Sequence, residues 1–252
     1  MVGARGRGVP RLREIPDQDL ARDPRVRVGA GALTRRRAGT AHPLLDPVTL
    51  DDLVDDSGAL LHAGDSRDGE RYTDADFDGL DLTGATFREC EFARVSFTET
   101  KLRGATFAEC LVSELRAPVF SAPFSRWRDV RVDRSRLGSV EIYEAELRGV
   151  SLDGCKLDFV NLRNASVTDV LLANCVIEEL DLGGATVQRL ELQNCRIGVL
   201  DVAGARLKDV DLRSSEFSTL HGLEGLRGAT IDDGQLSLLA PLLADHLGLV
   251  VE

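Results

Sequence analysis

The chain has 252 residues, 43% of them hydrophobic and 29% charged, with a net charge of −11 at pH 7. No run approaches the ~20 consecutive apolar residues that a membrane-spanning helix needs, and the first 30 residues lack the apolar core of a secretory signal. Five cysteines cannot all pair internally, so a reducing compartment, the cytoplasm, is expected.

The charge changes sign along the chain. Residues 1–45 carry ten Arg against four acids and are rich in Gly, Ala and Pro, which predicts a disordered basic arm. Arg35-Arg36-Arg37 is its one dense cluster. The arm could touch nucleic-acid phosphates, be a tail without function, or reflect a translation start placed too early. Only 3 of the 31 basic residues are Lys, which points to a GC-rich genome more than to a function.

Residues 46–71 hold eight acids against two Arg and are read as an acidic N-terminal capping segment. Within it, Thr49–Asp56 is predicted as a short helix. Thr49 and Asp52 suit a reciprocal cap, and Leu50, Leu53 and Val54 form an apolar face.

From residue 72 to 221 a different period takes over. Every fifth residue from Phe77 to Phe217 is apolar, at 29 consecutive positions without a slip in phase. A helix repeats its apolar face every 3.6 residues and a strand every 2, so neither fits. A second column lies two residues earlier and alternates small with large from Ala145 to Leu220. In it Cys155, Cys175 and Cys195 stand 20 residues apart, as do Cys90 and Cys110. This is the pattern of a solenoid with a 20-residue coil of four five-residue sides. About seven coils at roughly 4.8 Å each would give a rod on the order of 34 Å long. Between Val112 and Trp127 the inward residues are irregular, and Pro118 and Pro123 fall at turn positions. A deformed coil is expected there.

The unit small–Asp/Asn–Leu/Phe–x–x, as in Ala75-Asp76-Phe77-Asp78-Gly79, Leu80-Asp81-Leu82-Thr83-Gly84, Val160-Asn161-Leu162-Arg163-Asn164 and Leu180-Asp181-Leu182-Gly183-Gly184, resembles the pentapeptide repeat family. The resemblance covers residues 75 to 220. It implies an all-β fold, a right-handed quadrilateral β-helix; separately, no residue pattern in the sequence calls for a cofactor or a catalytic site. The resemblance also implies that some members bind DNA gyrase or topoisomerase IV by imitating duplex DNA, and so affect quinolone susceptibility.

Residues 222–252 are read as a C-terminal helix and short strand. Asp232 or Asp233 can cap a helix running to about His246, with Gly248 as terminator and Pro241 as a kink. Leu236, Leu239, Leu243 and Leu247 fall at helical spacing, broadened by Leu238 and Leu242. That face can cap the last coil, or cap it and also join a homodimer, as the resemblance implies. Leu249-Val250-Val251 reads as a final strand.

Candidate surfaces follow from folding the sequence on 20 residues. Arg116, Arg136, Lys156 and Arg196 stack in one outward column, interrupted by Val176, and could meet a phosphate or an acidic partner. Phe124, Tyr143 and Phe159 occupy outward turns and suit a protein contact. The cysteine ladder lacks the converging geometry of a zinc site. His42, His62, His221 and His246 pair with no nucleophile, so an enzyme is not expected. Two functions remain: a rigid module for an unidentified protein partner, or a DNA mimic of the topoisomerase-binding kind. Duplex DNA carries one charge per ~1.7 Å, so a rod of roughly 34 Å would need about 20 net negative charges. Residues 72–220 have 25 acids against 18 bases. Asp81, Glu141, Asp181 and Asp201 share a column that Lys101 interrupts, and the unbroken phase leaves no projecting loop. The module is the favoured reading.

Overall fold

The computed structural model describes residues 39–250, so the arm's Arg35-Arg36-Arg37 lies outside the described residues. A parallel β-solenoid follows from the five-residue period. Each side of the coil turns one apolar residue inward, and four sides return the chain to its starting column. The pairing shows the 20-residue turn directly: Arg116 is level with Arg136, Arg136 with Lys156, and Lys156 with Val176. One ladder climbs from Val54–Asp55 through Glu70–Thr73 and the longer strands Arg126–Asp133, Glu146–Asp153, Ser166–Ala173 and Thr186–Gln193 to Ala229–Thr230. A second sheet of six strands runs from Arg116–Ser121 to Glu216–His221.

The coil makes about nine turns, not seven. The extra turns lie where the apolar phase has lapsed but backbone pairing continues. Val54 N donates to Gly69 O and Asp56 N to Arg71 O, both at 2.9 Å. The same pairing corrects the expected helix at Thr49–Asp56. An isolated helix that short is marginal, whereas the open coil end offers unpaired carbonyls, and Val54–Asp55 is a strand of the ladder.

The N-terminal core is aromatic. Phe77 stacks on Phe97 at 4.7 Å, and Phe107 on Trp127 at 4.3 Å, each one turn apart. Such pairs add about 0.5–1.5 kcal/mol beyond their area burial. From Leu137 the core is aliphatic until Phe217 in the last turn. At the junction Ala117 and Ala122 sit opposite large neighbours, and an apolar cavity of about 70 Å³ remains, lined by Phe107, Phe120, Trp127, Val132 and Leu137 among others. The ladder is intact across this stretch, and a second apolar cavity of about 60 Å³, lined by Leu157, Leu162, Ile177 and Leu180 among others, continues into the regular turns, so the gap is not confined to the irregular coil. Pro118 lies within the strand Arg116–Ser121, not in a turn. The partner position is Gly138, where a Cβ would stand 2.2 Å from the Pro118 carbonyl oxygen.

A change of corner separates the two halves. Gly79 and Glu99 turn one corner with φ of 70° and 58°, in the left-handed region. One and more turns later Val119, Ser139 and Phe159 are extended and paired in the ladder. The six-residue strands from Arg116 onward therefore run through that corner, where the preceding turns have only isolated bridges at Ser96 and Lys101.

Residues 39–45, expected within the disordered arm, lie along the outside of the coil. Thr40 hydrogen-bonds Thr230 near the far end of the ladder, and His42 Nδ1 is 2.8 Å from Glu191 Oε2. Leu44 N donates to Asp169 Oδ1 at 2.9 Å, and Arg131 reaches back to Asp46 O at 3.2 Å. The strap thus descends turn by turn toward Val54.

The helix spans Asp233–Leu247, with Asp232 as N-cap and Gly248 as a left-handed C-cap. Pro241 lies inside it. Leu239 is buried and Leu243 half-buried, whereas Leu236 and Leu247 are 49% and 70% exposed. Leu249 and Val250 form no strand and are exposed, and Val251 lies outside the described residues.

The true anchor is Gln235. Its Nε2 donates to Leu212 O at 2.6 Å and to Ser215 O at 2.7 Å, while its Oε1 accepts from Asp232 N at 3.0 Å. Gln235 is buried, so Gln235→Ala strands two carbonyls under the helix. Leaving buried polar groups unpaired costs about 2 kcal/mol. The expected result is a lower melting temperature in thermal denaturation; an unchanged one would show that the helix does not cap the coil.

Candidate interaction surface

The cation column forms as its spacing implies. Ladder register places Arg116, Arg136 and Lys156 side by side, each exposed, on three consecutive turns. Val176 follows, and then Arg196, whose Nε is 3.9 Å from Glu216 Oε2. Among the described residues, Arg116, Arg136 and Lys156 have no ion-pair or side-chain hydrogen-bond partner. Other solenoid arginines are paired: Arg94 with Asp74 at 2.7 Å, Arg163 with Asp181 at 2.6 Å and Arg189 with Asp169 at 2.5 Å. Arg88, Arg126, Arg134, Arg148 and Arg206 are, among the described residues, unpaired like the column, but none of them stacks on another unpaired cation.

A shallow groove runs beside the column, floored by Pro118 and Gly138 and closed by Asp158. Around the opened corner the same strands present Val119, 44% exposed, then Ser139 and the half-buried Phe159. Phe159 is therefore close to Lys156 in the chain and apart from the other two aromatics. Phe124 and Tyr143 meet edge to face at 5.6 Å on the next corner, and the Arg103 guanidinium lies 4.0 Å over the Phe124 ring. Phe124 holds a φ of 60°, a left-handed conformation that costs an L-residue roughly 1–2 kcal/mol. The contacts with Arg103 and Tyr143 offset that cost and leave the pair half-buried.

The acidic column has a structural duty that its sequence pattern does not disclose. Asp81, Asn161, Asp181 and Asp201 each accept a hydrogen bond from the backbone N–H two residues on, closing a turn, at 2.8 to 3.1 Å. Arg163 also contacts both Asp181 and Asp201, the latter at 3.6 Å. The arginine beside them holds the Asp169 and Asp211 carboxyls below the usual carboxylate range: Arg189 for the first and Arg213 for the second.

The five cysteines are buried and free. Their thiols donate to main-chain carbonyls: Cys195 Sγ is 3.3 Å from Leu172 O and Cys175 Sγ is 3.2 Å from Ala173 O. Ser215, in the same column, donates to Leu192 O at 2.9 Å, and Thr100 to Phe77 O at 2.8 Å. The column selects a small donor, and sulfur is one way to supply it. Burial pushes the Cys90 thiol up to about 11 and the Cys110 thiol up to about 12. Among the described residues no three His, Cys, Asp or Glu side chains are grouped to hold a metal ion. Nor is any described helix long and apolar enough to cross a membrane.

Residues 73–110 match the family model for pentapeptide repeats, in 8 copies. No curated protein matches the chain. Among solved structures, the chain is similar to trypsin-treated QnrB1, described as a plasmid-mediated fluoroquinolone resistance protein. The two are 19% identical, the match covers 80% of this chain and 100% of that one, and the TM-score is 0.38. It is also similar to HetL, a pentapeptide repeat protein involved in heterocyst differentiation regulation in the cyanobacterium Nostoc. There the identity is again 19%, the match covers 68% of this chain and 91% of that one, and the TM-score is 0.24. Likenesses this distant carry no inference about function.

Because Ser215 already does what the cysteines do, Cys155→Ser, Cys175→Ser and Cys195→Ser together are expected to fold with a loss of only about 1 kcal/mol. In the native protein the thiols are expected to react with a thiol reagent only on unfolding, since all five are buried. Fast native labelling, or a triple variant that fails to fold, would contradict the account of the column as a set of hydrogen-bond donors.

Proposed function

The chain is a pentapeptide repeat protein, and from that premise we propose that it is a non-catalytic, rigid interaction module that binds another protein through the six-stranded side of its coil. One observation carries this reading. Three cations stand unpaired and in register beside exposed Val119 and half-buried Phe159. Like charges directly opposite one another in a sheet are destabilising, so the column costs stability and gives nothing back within the solenoid.

The acids support the same choice over DNA mimicry. A mimic needs carboxylates free to present a continuous field. Here the Asp of the repeat closes turns, and several other acids are held by Arg94, Arg163, Arg189 and Arg213. Surface pairs of this kind contribute little stability, but they cancel charge where a mimic would display it. The cytoplasm is the proposed location, because buried free thiols suit a reducing compartment.

A second copy of the chain is proposed as a further partner, at the helix. Leu236, Leu238, Leu242 and Leu247 are 45–70% exposed, and Leu249 continues the patch.

The test is affinity capture from a native lysate with the full chain, at low and at high salt, with mass-spectrometric identification. Recovery of a protein other than a topoisomerase subunit is the expected result. Gyrase or topoisomerase IV subunits recovered at low salt and lost at high salt would favour the mimic, since that contact is electrostatic. No partner at either salt would overturn the module reading.

A further inference from the structure

We propose that the groove beside Arg116, Arg136 and Lys156 docks an extended acidic peptide segment of the partner protein, with carboxylates at alternate positions and an apolar residue adjoining them. The assignment rests on the interaction-module reading and specifies which part of the surface is used and what chemistry it accepts.

Charge and dimensions select the occupant. Ladder neighbours are ~4.8 Å apart, so three consecutive turns place the cations across about 10 Å. An extended chain repeats side chains on one face every ~7 Å, and two carboxylates at alternate positions fall within that span. Guanidinium groups favour carboxylates because their paired N–H donors match the two oxygens. The floor is clear of side-chain bulk at Gly138, where close packing on the Pro118 carbonyl admits only glycine. Around the corner Val119 and Phe159 offer the apolar contact.

The surroundings exclude a nucleic acid. Asp158 closes the groove, and Glu178 and Glu179 stand on the following turn with Val176 in the column itself. The basic strip is therefore too short to follow a phosphate backbone, which proteins hold through many phosphate contacts. Apolar contacts on the neighbouring face also suit peptide side chains.

The experiment uses the full chain and fluorescein-labelled probes read by fluorescence anisotropy. The probes are a Glu-Val-Glu-Val-Glu peptide flanked by Gly-Ser, its Lys-Val counterpart, and single-stranded oligothymidylate. The acidic peptide alone is expected to bind, more weakly as salt rises. Arg116→Ser, Arg136→Ser and Lys156→Ser together are expected to weaken it at least about tenfold, as removal of several charge contacts requires. Arg206→Ser, Lys208→Ser and Arg227→Ser, away from the groove, leave it unchanged, and Arg136→Lys retains binding.

Thermal denaturation separates docking from structure. Neutralising the column removes repulsion, so the groove variant melts no lower than the parent, whereas structural residues would lower the melting temperature. Binding that survives in the groove variant would overturn the assignment, as would a preference for the oligonucleotide. Absence of acidic-peptide binding would do the same. A lysate partner captured equally by parent and groove variant would remove the groove but leave the interaction module standing.

Discussion

A parallel backbone ladder that advances by 20 residues per turn sets the position of every side chain in the solenoid. Arg136 lies over Arg116, and Leu157 over Leu137, because the amide of each turn is committed to the carbonyl of its neighbour. Backbone groups buried without partners are costly, so the register cannot slip by one residue without turning the core outward. That commitment limits the interior to a narrow range of sizes. It also explains why column positions alternate between bulky aliphatic groups and small residues, Ala, Cys or Ser. Apolar cavities of about 70 and 60 Å³ remain along the interior while the ladder holds. A solenoid left open at its ends needs covers. Gln235 supplies the one at the C-terminal end by bonding two carbonyls of the last turn.

The same constraint divides the charged residues by task. Aspartates at the repeat's polar position serve the backbone, as Asp181 does for Gly183 N and Asp201 for Ala203 N. Many arginines then settle on those and other carboxylates. Net charge consequently says little about what the surface offers, since much of the negative charge is already occupied. Among the unpaired cations, Arg116, Arg136 and Lys156 are distinguished by stacking in one column, on the half of the coil where the corner opens at Val119.

The coil was legible because one side chain in five has no choice of direction. The cation stack could be read for the same reason, as could the closeness of Phe124 and Tyr143. Features governed by backbone hydrogen bonds were not legible. Leu50, Leu53 and Val54 mimic a helical face, yet Val54–Asp55 joins the ladder. No periodicity marks residues 39–45, so the contacts of His42 with Glu191 and of Leu44 with Asp169 across long sequence separations left no signal. Gln235 does carry a local one, three residues after Asp232 in the capping-box arrangement, but its second role at the coil end needs the fold. Along the helix, leucine spacing marks an apolar stripe without dividing it. Contact with the last turn takes Leu239 and leaves Leu236 and Leu247 in solvent.

Deletion of whole and incomplete turns tests the register most directly, by circular dichroism and thermal denaturation. Removing residues 177–196 joins Val176 to Ile197, which stand in equivalent columns to the residues they replace. Removing residues 178–196 takes out one residue fewer and inverts the facing of everything beyond. The shorter-by-one-turn chain is expected to keep its β signal and a cooperative melt, while the out-of-phase chain loses both. Equal folding of the two, or collapse of the in-phase chain alone, would contradict a 20-residue ladder as the organising constraint.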